Sequence, residues 1–150
     1  MKANIEQEYE HDFYAWALHN AELIRQGKLS EVDLEHVAEE IESMGRSDKR
    51  ELLSHLAVLM AHLLKWQFQP ERRGNSWKYK IVEQRFELTD LLEESPSLKN
   101  ELNTQLGHAY QKALIIAVKE TGMPKTTFPH VCPFSLEMSL NPDFFPDSEV

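Results

Sequence analysis

Residues 51–77 read ELLSHLAVLMAHLLKWQFQPERRGNSW, and this stretch decides the fold class. Leu52, Leu53, Leu56, Leu59, Met60, Leu63 and Leu64 recur at steps of three and four residues, which at about 100° per residue gathers them on one side of a long helix. A stripe this apolar has to be covered by other helices. Beyond Phe68 the chain meets Pro70, which cannot continue a helix, and then a polar turn holding Arg72, Arg73, Gly74 and Asn75 between Trp66 and Trp77. The helix therefore delivers a basic, aromatic-flanked loop at its C-terminal end.

The chain has 150 residues, the usual size of one domain and enough for a core without disulfide or metal staples. Lys and Arg number 16 against 25 Asp and Glu, a net charge of -9, with a pI near 5.2. That balance argues against general binding to a nucleic-acid backbone and favours solubility or a basic partner. The single cysteine, Cys132, excludes an intrachain disulfide and fits a reducing, cytoplasmic setting. No apolar run reaches the roughly 18 residues that span a bilayer, and the opening MKANIEQEYEHDF lacks a signal-peptide core. Neither a signal peptide nor a membrane helix is expected.

Upstream of the quoted stretch, residues 1–11 are polar and expected to be flexible. Asp12 is the expected N-cap of a first helix in which Phe13, Trp16, Ala17, Leu23 and Ile24 share a face, with Gly27 as its stop. Asn20 falls in the middle of that face and should bond to a neighbouring helix. Ser30-Glu31-Val32-Asp33 has the form of a capping box. It predicts a second helix with a seam of Leu34, Val37, Ala38, Ile41 and Met44, closed by Gly45. Ser47 then predicts the start of a third helix, the one quoted above.

Two clusters have signs of their own. Eight acidic residues crowd the interval 31–51, and Glu39, Glu40 and Glu42 are candidate partner-binding residues; the plainer reading is a solvated face. Six of the sixteen basic residues, Lys65, Arg72, Arg73, Lys78, Lys80 and Arg85, lie between positions 65 and 85. With Trp66 and Trp77 beside them, Arg72, Arg73 and Arg85 form a candidate site for a phosphate, a carboxylate or a stacked base. The competing expectation is an internal lock of this basic island onto the acidic second helix. His55 and His62 lie seven residues apart on one helix face, about 10 Å along the axis. They are a speculative metal pair, read first as seam-edge histidines hydrogen-bonded to neighbours.

A fourth helix from Asn75 or Ser76 should bury Trp77, Ile81, Gln84, Leu88, Leu91 and Leu92, with Arg85 at the margin. Ser95-Pro96 predicts the start of a fifth, running to about Glu120 and apolar nearly all round in its second half. From residue 123 to 150, Pro124, Pro129, Pro133, Pro142 and Pro146 forbid a long helix, and Phe128, Phe134, Phe144 and Phe145 call for burial. An irregular strap packed on the bundle is expected, with one helical turn between Phe134 and Leu140. Cys132 has no neighbouring base or second cysteine and reads as a small buried residue.

The blocks DFYAWA (12–17), EEIESMGRSDKREL (39–52), AHLLKWQFQPERRGNSW (61–77), ETGMPKTTFPHVCPF (120–134) and NPDFFP (141–146) resemble the family catalogued as domain of unknown function 29, common in cyanobacteria. The resemblance covers nearly the whole chain. It implies a small, soluble, all-helical bacterial protein, and it brings no catalytic or binding residue with it.

The expected fold is thus all-α, a single-domain bundle of about five helices with a C-terminal strap. No catalytic constellation and no cofactor motif stands out. The leading functional expectation is a non-enzymatic protein-interaction or regulatory module. The alternatives are a small-anion or phosphate-binding protein using the Trp66–Trp77 loop, and a metal-dependent hydrolase using His55, His62 and a glutamate. Nothing in the pattern sets the oligomeric state.

Overall fold

Why the stripe at 52–64 lies where it does is clear from a computed structural model, which describes residues 2–147. Six helices follow one another: α1 (Lys2–His11), α2 (Phe13–Arg25), α3 (Leu34–Phe68), α4 (Asn75–Glu94), α5 (Leu98–Thr121) and α6 (Leu136–Leu140). No strand occurs among the described residues, and the protein is an all-α helical bundle. Its chain forms two compact units, residues 1–48 and residues 49–150.

In the second unit the α3 stripe is sealed. Leu52, Leu56, Leu59, Met60, Leu63 and Leu64 are fully buried, together with Ile81 and Leu88 of α4 and Leu102, Ala109, Ala113 and Ala117 of α5. Removing one such side chain, as in Leu56→Ala, would cost about 2–5 kcal/mol. The strap completes this core with Phe128, Phe134 and Leu136. The Tyr110 hydroxyl reaches across to donate to the Pro129 carbonyl at 2.6 Å. Ser135 caps α6 by accepting from the Met138 amide, so the turn expected between 134 and 140 is present. The last strap positions, 148–150, lie outside the described residues.

In the first unit Asp12 caps α2 as expected, its Oδ1 accepting from the Ala15 amide at 3.1 Å. Gly27 ends the helix in the left-handed region, at φ 73°. There its amide donates to Ile24 O and the Lys28 amide to Leu23 O, the paired bonds that close a helix end.

Several expectations change, among them the seam of Leu34, Ile41 and Met44, which is exposed. Residues 2–11, ahead of the first expected helix, form α1. The helices expected on either side of Gly45 are one continuous α3, because glycine inside a helix costs only about 1 kcal/mol against alanine and does not by itself stop one. Arg46 adds intrahelical pairs there, 3.7 Å from Glu39 and 3.6 Å from Glu42. Residues 41–48 are all exposed. Ser30 does not cap α3; it lies in a short 3-10 turn, Leu29–Glu31, and Asp33 takes the capping place. Finally, Pro96 and Ser97 form a turn ahead of α5 in which the Leu98 amide donates to Ser95 O.

Candidate functional site

Residues 1–48 hold a polar network. Asp33 is 1% exposed; its amide donates to Asn20 Oδ1 at 2.8 Å, and the Asn20 Nδ2 donates to Trp16 O at 2.8 Å. Asn20 thus serves as the expected tie to a neighbouring helix. The Asp33 carboxylate accepts from Trp16 Nε1 at 3.0 Å and from His36 Nδ1 at 2.7 Å, both on Oδ2. Burial pushes the Asp33 carboxyl up, but the bonds from His36 and Trp16 outweigh it and hold the group below its ordinary value. The bond to Asp33 raises His36 against a smaller opposing effect of desolvation. The Tyr9 ring stacks on the His36 ring at 3.9 Å, and its hydroxyl donates to Glu40 at 2.6 Å. That bond first, then desolvation, pushes the Tyr9 hydroxyl up to about 12. An imidazole held by a buried carboxylate has its outer nitrogen oriented, which suits proton binding.

The sequence patterns singled out Asn20 as a tie and Glu40 as a candidate, but not the Trp16–Asp33–His36–Tyr9 network that they join. The usable signal was Asp33 three residues before His36 at a helix start, with an indole one helix earlier.

Around the network the surface is acidic. Residues 1–48 contain twelve Asp and Glu against four Lys and Arg, while the rest of the chain has thirteen against twelve. Nearly all of the net charge therefore belongs to the first unit. On α3 the apolar residues Leu34, Ile41 and Met44 are 55%, 59% and 62% exposed. Their spacing lines them up on one side of the helix, with Glu35, Glu39 and Glu42 along one flank and Glu40 on the other.

The basic island disperses. Arg73 Nε donates to Trp66 O at 2.7 Å, and its Nη2 donates to Pro146 O at 3.3 Å. Arg85, 4% exposed, donates through Nε to Ser139 O at 2.8 Å and through Nη2 to Phe144 O at 2.7 Å. The Phe145 ring lies between: Trp66 packs against it at 4.9 Å and the Arg85 guanidinium at 5.4 Å. Trp66, Arg73 and Arg85 are thus brought together, with the strap seated among them. Arg72 is exposed, and Trp77 lies apart under the Lys65 ammonium at 4.9 Å. Lys65 itself is paired with Glu120 at 2.8 Å. In place of the expected lock onto acidic side chains, Arg73 and Arg85 bind main-chain carbonyls of α3 and the strap.

His55 Nδ1 donates to Gln84 Oε1 at 2.7 Å, and His62 Nδ1 donates to Val58 O at 2.9 Å. Burial lowers the His62 pKa, the neighbouring carbonyl only partly opposing it. Among the described residues no three His, Cys, Asp or Glu side chains converge closely enough to hold a metal ion. Cys132 donates to Phe134 O at 3.2 Å, and burial pushes its thiol up, away from nucleophilic character. No helix of the described residues is long and apolar enough to cross a membrane.

A family model described as Domain of unknown function DUF29 matches residues 8–145. The chain belongs to this family. No curated protein and no solved structure matches it. The DUF29 match spans both the Asp33 network and the strap held by Arg85, so each lies within the family's own extent.

Proposed function

We propose that this DUF29 protein is a non-enzymatic, cytoplasmic interaction module that docks a basic, amphipathic helical segment of a partner protein onto the first half of α3. The observation that carries the reading is the exposed Leu34, Ile41 and Met44 stripe between carboxylates, on a unit holding nearly all the net negative charge. Apolar residues in a line at helical spacing suit a partner helix, and the flanking acids select basic side chains at its rim. The same charge disfavours a second copy of the acidic unit and a nucleic-acid backbone. Glu39 and Glu42 act at the rim, while Glu40 is engaged by Tyr9.

A labelled synthetic Leu/Lys amphipathic helix provides the test, with a Leu/Glu helix of the same apolar pattern as control. Saturable binding of the first alone, weakened about tenfold or more by Ile41→Ser with Met44→Ser, supports the proposal. That pair leaves the charge unchanged, so equal binding by the variant would reduce the effect to charge attraction and sink the proposal.

A further inference from the structure

The exposed side of α4 has the same character read in either direction. At about 100° per residue, Asn75, Tyr79, Val82, Phe86, Thr89 and Glu93 fall within about 80° of one another around the helix, and all six are exposed. Each has a counterpart equally far on the other side of position 84: Val82 with Phe86, Tyr79 with Thr89, and Asn75 with Glu93. Apolar groups stand at the centre and hydrogen-bonding groups towards the ends. Tyr79, Val82 and Phe86 are 60%, 43% and 65% exposed, so the described residues leave this centre uncovered.

Such a stripe is complementary to itself. A two-fold axis beside position 84 runs a second α4 antiparallel to the first, sets Val82 against Phe86 twice, and brings Asn75 level with Glu93 at both ends. Rotation agrees with rise, because positions 75 and 93 are about five whole turns apart and point the same way. Tyr79 and Asp90 share a flank, about 20° apart around the helix, and a two-fold keeps like flanks together, so each phenol can donate to the opposite Asp90 carboxylate. The helix also offers that ring a seat. Val82, Phe86, Thr89 and Asp90 line a groove of about 450 Å³ with Leu140 and Pro142 of the strap, and Tyr79 of a second copy comes level with Thr89, inside it. Charge favours a second copy as the occupant: residues 49–150 hold thirteen acidic and twelve basic side chains, so two such units meet almost without net repulsion. We infer that the chain forms an antiparallel two-fold dimer through α4, with Val82 and Phe86 at its centre and Tyr79 of each copy in the groove of the other. This contact is independent of docking on α3.

Sedimentation equilibrium of the full chain, from about 5 to about 500 µM, tests the inference and should give a monomer–dimer equilibrium with a dissociation constant below about 100 µM. Val82→Ser with Phe86→Ser, at two exposed positions, should raise that constant about tenfold or more and leave the helical circular dichroism unchanged. Ile41→Ser with Met44→Ser should leave the constant as it is. A short bis-maleimide reads the register. Asn75→Cys with Glu93→Cys should be cross-linked into dimers, whereas the wild type with its Cys132 and each single cysteine variant should not, since identical positions on the two helices lie about 27 Å apart. A chain that stays monomeric at about 500 µM, a dimer indifferent to Val82→Ser with Phe86→Ser, a double cysteine variant that stays unlinked, or cross-linking that a single variant reproduces would each overturn the inference.

Discussion

The indole N–H of Trp16 donates to the Asp33 carboxylate at 3.0 Å, and both residues are almost closed to water. This bond joins α2 to the start of α3 and holds the acceptor that orients His36. Trp16→Phe keeps the aromatic packing but removes the donor. The variant should lose about 1–3 kcal/mol by chemical denaturation, because a buried carboxylate gives up one of its partners. His36 should also titrate differently in the variant, as followed by its ring proton signals.

The His36–Asp33 pair has a defined pH signature. His36 is raised above its ordinary value of 6.5 in the fold. Its contribution is therefore fully present below pH 6.5 and is lost as pH rises through the folded-state value. Asp33 is lowered below 3.8, so its contribution is present above pH 3.8 and is lost as pH falls through the folded-state value. The pair should stabilise most between about pH 4 and 6.5. His62, lowered by burial, acts in the opposite sense. The comparison is therefore between the wild type and His36→Gln, in which the His62 effect cancels. The difference in melting temperature should shrink as pH is raised from 6 to 9, and an unchanged difference would refute it.

Lys65 is buried in the second unit, and its ammonium meets Glu120 at 2.8 Å. Glu120→Gln should cost about 1–3 kcal/mol, since its amide oxygen can still accept but no longer neutralises a buried cation that also lies over the Trp77 ring. Lys65→Met, which removes the charge and keeps the length, should cost less. The two denaturation midpoints give the order directly.

Two glycines should respond with opposite signs. A Cβ at Gly45 would meet nothing within 4 Å in the middle of α3, so Gly45→Ala should stabilise by about 0.5–1 kcal/mol. Gly27 holds φ at 73°, and Gly27→Ala should destabilise by about 1 kcal/mol. Thermal melts of the two variants check the pair.

Much of the second unit was legible in its residues. Leu52 to Leu64 repeated with a helical period, Pro70 and Gly122 marked ends, and the prolines after residue 123 forced a strap that the phenylalanines pinned to the core. Gly45 misled because a glycine's small cost inside a helix resembles a stop signal when Ser47 and Asp48 follow it. The candidate site was only partly legible. Arg85 was singled out for its charge, but its partners are backbone carbonyls, and every residue carries a carbonyl. Pairing of charges by sign could not anticipate a guanidinium bound to main chain, and the Asp33 network depends on α2 meeting the start of α3.

Because Arg85 grips the chain at two carbonyls, Ser139 O and Phe144 O, what it measures is the path length between them. Side chains at these two positions could drift without loosening that grip. A one-residue insertion between them would shift the second carbonyl out of register.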